Sequence, residues 1–127
     1  MVKEPIIIVG GEPNSIFLEI FFKSLKTNTY KSPMIIITSK KLLQEQMKKL
    51  DFNFKINDIG KELKDFSKLN NKKINLINID YKFKNCFEKI TSKSNKYIDK
   101  TFKVALNFMK QNNLSKFVNG PVSKSPF

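Results

Sequence analysis

Pro5-Ile6-Ile7-Ile8-Val9-Gly10-Gly11-Glu12-Pro13 sets the fold class. Four consecutive apolar, largely β-branched residues with no polar alternation describe a strand buried on both faces, ended by glycines. Such a strand belongs in a parallel sheet with helices on either side. Asn14 or Ser15 can cap a helix running through Lys26, with Ile16, Phe17, Ile20, Phe21 and Leu25 on one face. After Pro33, Met34 to Thr38 repeats the buried-strand pattern. Ser39 can then cap a second helix to about Leu50, turned inward through Leu42, Leu43, Met47 and Leu50.

The middle of the chain is less regular. Phe52, Phe54 and Ile56 alternate with polar residues, as in a short strand. Ile59 to Asn71 is lysine-rich and reads equally as a surface helix or a loop. Ile74, Leu76 and Ile79 indicate a strand at or near a sheet edge, and no structure is assigned to Tyr81 through Ser94. Ile98, Phe102, Ala105, Leu106 and Met109 then form an apolar stripe at helical spacing that stops at Asn112-Asn113, a C-terminal cap. Phe117 and Val118 make a short strand leading into Asn119-Gly120-Pro121. The alternation of strands and helices predicts an α/β fold with a largely parallel sheet and helices on both faces, spanning residues 1–127 without internal repeats.

Composition bounds the function. The 127 residues suffice for one α/β core, and 12 phenylalanines supply bulk for it. The net charge of +13 invites a nucleic-acid reading, since lysines neutralise phosphates and release counterions. All 24 basic residues are lysine, however, and arginine supplies the fork that grips phosphate and reads guanine. Abundant Lys, Asn, Ile and Phe, all encoded by A/T-rich codons, account for the charge without such a partner. Cys86 is the sole cysteine and the chain has no histidine, so Cys86 reads as a structural thiol rather than a nucleophile. Residues 6–9 are too short to span a bilayer and match a signal peptide poorly, which makes the cytoplasm the default compartment.

Two loops carry the chemistry. In open α/β sheets ligands bind at the carboxyl ends of the strands, and both Gly-Pro loops follow predicted strands. Gly10 and Gly11 permit a sharp turn and close approach to a ligand, the following helix start favours an anion, and Glu12 can orient a polar group. The bland reading of this loop is an ordinary strand-to-helix turn with an exposed Glu. The second loop, Gly120-Pro121-Val122-Ser123-Lys124, places a point charge suited to phosphate or carboxylate; its bland reading is one more solvated lysine. Asn14 and Ser15 break the dinucleotide fingerprint, and no Walker loop is present. Tyr97 and Thr101, one turn apart, read as helix surface or packing seam rather than a site.

Taken together, the loops resemble the PdxA family of 4-hydroxythreonine-4-phosphate dehydrogenases. Ile6 through Ile16 is similar to that family's opening strand and Gly-Glu/Asp-Pro-Ala-Gly-Ile loop, and Asn95 through Lys124 to its helix, short strand and Gly-Pro-x-x-Lys loop. The resemblance covers nearly all of this chain but only about the first two-fifths of a family member. It implies an isocitrate/isopropylmalate dehydrogenase-like fold, incomplete here. It also implies NAD-dependent oxidation and decarboxylation of 4-phosphooxy-L-threonine, on the way to pyridoxal phosphate, with a divalent metal as Lewis acid and a homodimer as the working form. The substrate would be a phosphorylated hydroxy-amino acid, and Glu12, Gly120 and Lys124 are the candidate substrate-binding residues.

The chain departs from the family pattern where Ala-Gly becomes Asn14-Ser15 and the following Gly-Pro becomes Phe17-Leu18. The family's metal ligands are largely histidines, and its substrate-contacting His-Thr pair lies beyond the Gly-Pro-x-x-Lys loop, so the resemblance implies a fragment that is inactive alone. No metal-binding or nicotinamide-binding residue can be carried over. Two other readings remain open: a small basic α/β module binding nucleic acid or another polyanion, and a different enzyme of the same superfamily acting on a related hydroxy acid.

Overall fold

The computed structural model describes residues 4–10, 17–27, 33–63, 66–69, 73–81 and 92–119. Strand β1 (Ile6–Val9) lies beside β2 (Met34–Thr38), parallel, with Ile7 opposite Ile35 and Val9 opposite Ile37. With β3 (Ile56–Asp58), β4 (Ile74–Asn78) and β5 (Phe117–Asn119) they form one sheet in the order β3-β4-β2-β1-β5, every pair parallel. Helices α1 (Phe17–Thr27), α2 (Lys40–Lys49) and α3 (Ser92–Asn112) accompany it.

The period-two alternation of a strand divides the sheet's side chains between two cores. Ile7, Val9, Ile35, Ile37 and Ile77 join α3 through Ile98, Ala105 and Phe108. Ile8, Ile36, Ile74 and Leu76 join α1 and α2 through Leu18, Phe22, Leu42 and Leu43. Ile35, Ile36 and Ile37 are completely buried, so β2 is covered on both faces. The expected α/β architecture, with a parallel sheet and helices on both faces, is therefore the one observed.

Several details differ from the sequence reading. On α1 the buried stripe is Leu18, Phe21 and Phe22 with Leu25 partly buried beside them, while Ile20 is 54% exposed. Two overlapping stripes satisfy helical spacing there, and the large Phe22 ring, tilted against Phe52 and stacked with Phe54, decides between them. On α3 the inward face runs through Tyr97, Ile98, Thr101, Ala105 and Phe108, which leaves Leu106 59% exposed. Gln46 of α2 is fully buried beside Leu42, Leu43 and Met47, and Leu50 is half-buried. Phe52 and Phe54 precede β3 rather than forming it, although they pack with Ile56 against the same core.

Residues 59–69 contain a turn and one 3-10 turn, Phe66–Lys68, rather than an α-helix among the described residues. Ile59, Leu63, Phe66 and Leu69 pack against the α3-side core, which gives this lysine-rich stretch a structural role. The strand read near the sheet edge, β4, is second from it; β3 is the edge strand. Buried Asn75 of β4 sits opposite Asn57 in register, accepts from its Nδ2 at 2.9 Å and donates to the Met34 carbonyl at 3.0 Å. These bonds satisfy an amide that would otherwise be costly in a core. Cys86 lies outside the described residues.

Helices α2 and α3 end alike. Asp51 and Asn113 adopt left-handed φ angles of 60° and 56°, and the next residues, Phe52 and Leu114, donate backwards to the Met47 and Met109 carbonyls, both at 2.9 Å. This is the Schellman arrangement, which Asp and Asn tolerate better than other non-glycine residues. The Asn112-Asn113 stop read from the sequence is thus realised at Asn113.

Truncating Ile36 to Ala should cost about 2–5 kcal/mol of stability, because neither packed face can close the void. Ile20→Ala should change it by no more than about 0.5 kcal/mol. Urea unfolding of the full chain measures both.

Candidate functional site

Parallel strands place all their carboxyl ends on one edge, and Gly10, Thr38, Ser39, Asp58, Asn78, Tyr81 and Asn119 gather there. The centre of this edge is the Tyr97 hydroxyl. It accepts the Ser39 backbone N–H at 2.7 Å and shares a hydrogen bond of 2.8 Å with Thr38 Oγ1. The Tyr81 ring packs against it, with centroids 4.5 Å apart. A residue of α3 therefore locks the junction where β2 becomes α2. Burial pushes the Tyr97 phenol up to about 12, against the lowering effect of the Thr38 and Ser39 hydrogen bonds.

Sequence reasoning placed Tyr97 and Thr101 on a surface or packing seam, and the seam is correct: both are buried, and Thr101 Oγ1 donates to the Ile98 carbonyl at 2.6 Å. What it missed is the position of the Tyr97 hydroxyl under the ligand edge. The available signal was a tyrosine beside Ile98 in an inward stripe, since a buried phenol needs a polar partner.

The N-terminus of α2 is closed by protein groups. Ser39 Oγ accepts from Leu42 N–H at 3.2 Å, the Ser39 carbonyl from Leu43 N–H at 2.9 Å, and Asn78 Oδ1 from Lys40 N–H at 2.8 Å. Amides already engaged in this way leave little for an anion, although a free helix start favours one. Lys40 Nζ pairs with Asp58 Oδ2 at 2.5 Å, and Asn78 Nδ2 donates to Asp80 Oδ1 at 3.3 Å.

Strands β1 and β5 are neighbours in parallel register, Val9 opposite Asn119, so the described chain leaves the sheet side by side at Gly10 and Asn119. Gly10 N–H donates to the Ile37 carbonyl at 3.3 Å. A Cβ built on Gly10 would sit 3.0 Å from Thr38 Oγ1 and 3.3 Å from Thr38 Cβ, so a larger residue there would have to push back a Thr38 side chain that is held by Tyr97. Glu12, Gly120 and Lys124, the candidate substrate-binding residues, lie outside the described residues. The described part of the chain does not fit a metal ion: among those residues no three His, Cys, Asp or Glu side chains converge, and Asp58 and Asp80 are each engaged by a neighbour. Among them also, no helix is long and apolar enough to cross a membrane.

Tyr97→Phe should cost about 1–3 kcal/mol, because it strands the Ser39 N–H and weakens the Thr38 bond in a buried setting. The proton-linked stability held by Tyr97 should be fully present below pH 10, the ordinary phenol value, and be lost as pH rises from there to about 12. Alkaline unfolding of wild type and Tyr97→Phe, followed by circular dichroism, tests both statements. Gly10→Ala should cost about 1–3 kcal/mol by overpacking Thr38, measurable by the same denaturation.

Known proteins share the family pattern and the fold. The profile of the family described as pyridoxal phosphate biosynthetic protein PdxA matches residues 29–127. That range includes the Gly120–Lys124 segment and begins after the Gly11-Glu12-Pro13 loop. A crystal structure of a 4-hydroxythreonine-4-phosphate dehydrogenase from Burkholderia phymatum superposes with a TM-score of 0.80 at 18% identity, over 98% of this chain and 38% of its own. The corresponding enzyme from Klebsiella pneumoniae gives a TM-score of 0.77 at 15% identity, over 96% of this chain and 38% of its own. At such identities the likeness establishes the fold, and the chain spans well under half the length of these dehydrogenases. No curated protein sequence matches the chain.

Proposed function

Because the chain belongs to the PdxA family, we propose that it forms the amino-terminal α/β portion, residues 1–127, of an NAD-dependent 4-hydroxythreonine-4-phosphate dehydrogenase. The observation that carries the reading is the adjacency of β1 and β5 within a sheet that superposes on dehydrogenases of this activity. Their carboxyl ends lie together at the sheet edge where ligands bind in open α/β folds.

In this reading the two Gly-Pro loops flank a phosphorylated hydroxy-amino acid. Lys124 supplies a point charge to its phosphate or carboxylate, Gly120 permits close backbone approach, and Glu12 orients a polar group. At the carboxyl ends of the strands, Tyr97, Thr38 and Gly10 hold β1, β2 and α2 in fixed relation. NAD would supply the hydride acceptor and a divalent metal ion a Lewis acid, and no described residue is assigned to hold either. Both would be held mainly by further polypeptide, in a cytoplasmic homodimer. The described part of this chain contributes the scaffold of the edge and the departure points of its loops.

With 4-phosphooxy-L-threonine, NAD and a divalent metal, the 127 residues alone should produce no NADH. The polypeptide extended to the length of the compared dehydrogenases should produce it. In that extended protein Lys124→Ala should lower kcat/KM about tenfold or more, while Lys116→Ala, an exposed change outside the loop, should not. An extended, folded protein that forms no NADH would overturn the assignment.

A further inference from the structure

A cleft of about 510 Å³ lies between the outer side of α2 and the segment leading into β3. Its floor is apolar: Met47, Phe52, Phe54 and Ile56. The Phe52 and Phe54 rings lie nearly parallel, 16° apart with centroids at 6.1 Å, and both are half-buried, so part of their surface remains open. The rim is Lys40, Gln44, Lys48 and Asn53. Lys40, Gln44 and Lys48 recur every four residues and therefore stand in one row along α2. Two ammonium groups and two amides thus surround an aromatic floor, with no carboxylate among the described lining residues.

Asp58 engages Lys40 from outside the lining, which leaves that ammonium two further N–H donors. Lys48 is exposed and has no carboxylate partner among the described residues. A second cleft, of about 210 Å³, is lined by Lys61 and Glu62 with Val104, Asn107, Phe108 and Gln111. Its single lysine is offset by a carboxylate, and it has less than half the volume.

We propose that the larger cleft is a binding site for a small aromatic anion, a planar ring carrying a phosphate or carboxylate. The volume falls within the range of about 300–1,000 Å³ typical of small-molecule sites. An aromatic ring covers the exposed Phe52 and Phe54 surface, which removes apolar area from water, and ring pairs add to that burial. The anionic group meets Lys48 and Lys40 at the rim, and Gln44 and Asn53 donate to its remaining oxygens. Neither inorganic phosphate nor a neutral ring uses both halves of the site. The assignment is independent of the dehydrogenase reading.

Phenyl phosphate titrated into the full chain, followed by amide chemical shifts, tests it against inorganic phosphate alone and benzyl alcohol alone. Shifts should concentrate at Gln44, Lys48, Asn53 and Phe54, and phenyl phosphate should bind about tenfold or more tightly than either half-ligand. Lys48→Glu should weaken it about tenfold or more. Lys100→Glu, which changes the net charge equally on the exposed side of α3, should leave it within about twofold. A benzoate arm distinguishes phosphate from carboxylate preference, and either preference is consistent with the site. No binding, shifts spread over the lysine-rich surface, equal loss in the two charge variants, or inorganic phosphate binding as tightly as phenyl phosphate would each overturn the proposal.

Discussion

Strands β1 and β2 consist almost wholly of β-branched apolar residues, and successive side chains of a strand point to opposite faces. Neither face can be left to water, so each must be covered by a helix layer: α3 over Ile7, Val9, Ile35 and Ile37, and α1 with α2 over Ile8 and Ile36. Burying an isoleucine is worth roughly 1.5–3 kcal/mol, and three consecutive fully buried ones make β2 the axis of the molecule. The helix between parallel neighbours returns the chain to the starting end, so every carboxyl terminus falls on one edge. Two-sided burial thus fixes where polar chemistry can gather.

At that edge, polar satisfaction closes some positions and leaves others to the loops. Tyr97, Thr38, Ser39 and Asn78 bind one another or the first amides of α2, and that helix start is consequently a structural joint. Gly10 is held within a tight approach of Thr38, which ties β1 to the same joint. The paired ends of β1 and β5 are where the two glycine-proline segments of the sequence begin. At the opposite, amino-terminal end, Glu4 accepts from the backbone N–H and the hydroxyl of Ser115, and these bonds hold its carboxyl below the usual range. This contact ties the entries of β1 and β5 together as their register does along the strands.

Strands β1 and β2 were legible because a nearly uninterrupted β-branched run of four or five residues has few other uses, whereas β3 was read too early because Phe52 and Phe54 alternate like strand residues yet only lead into it. Helix existence was equally legible, but helix phase was not. Ile20 and Leu106 lie on stripes that satisfy helical spacing as well as the buried stripes do. Only the placement of Phe22 against Phe52 and Phe54, and of Phe108 against Phe66, selects the face that turns inward. Of the site, the glycine-proline segments stood out because their residue types are unusual after a strand. Tyr97 did not, since its role depends on Ser39, 58 residues away.

What this sequence determined by itself is local: the buried strands, the Ser39 cap, the stop at Asn113, the alternation that makes the fold α/β, and the motif order that relates it to its family. Each follows from backbone preference and spacing among residues close in the chain. The tertiary structure alone decided that β4 inserts between β3 and β2, that Tyr97 secures the start of α2, and that Lys48 and Phe54 share one cleft. These depend on which distant surfaces bury one another, and many pairings share the same local pattern. The energy that chooses among them comes from side-chain packing and buried hydrogen bonds that exist only once the sheet has formed.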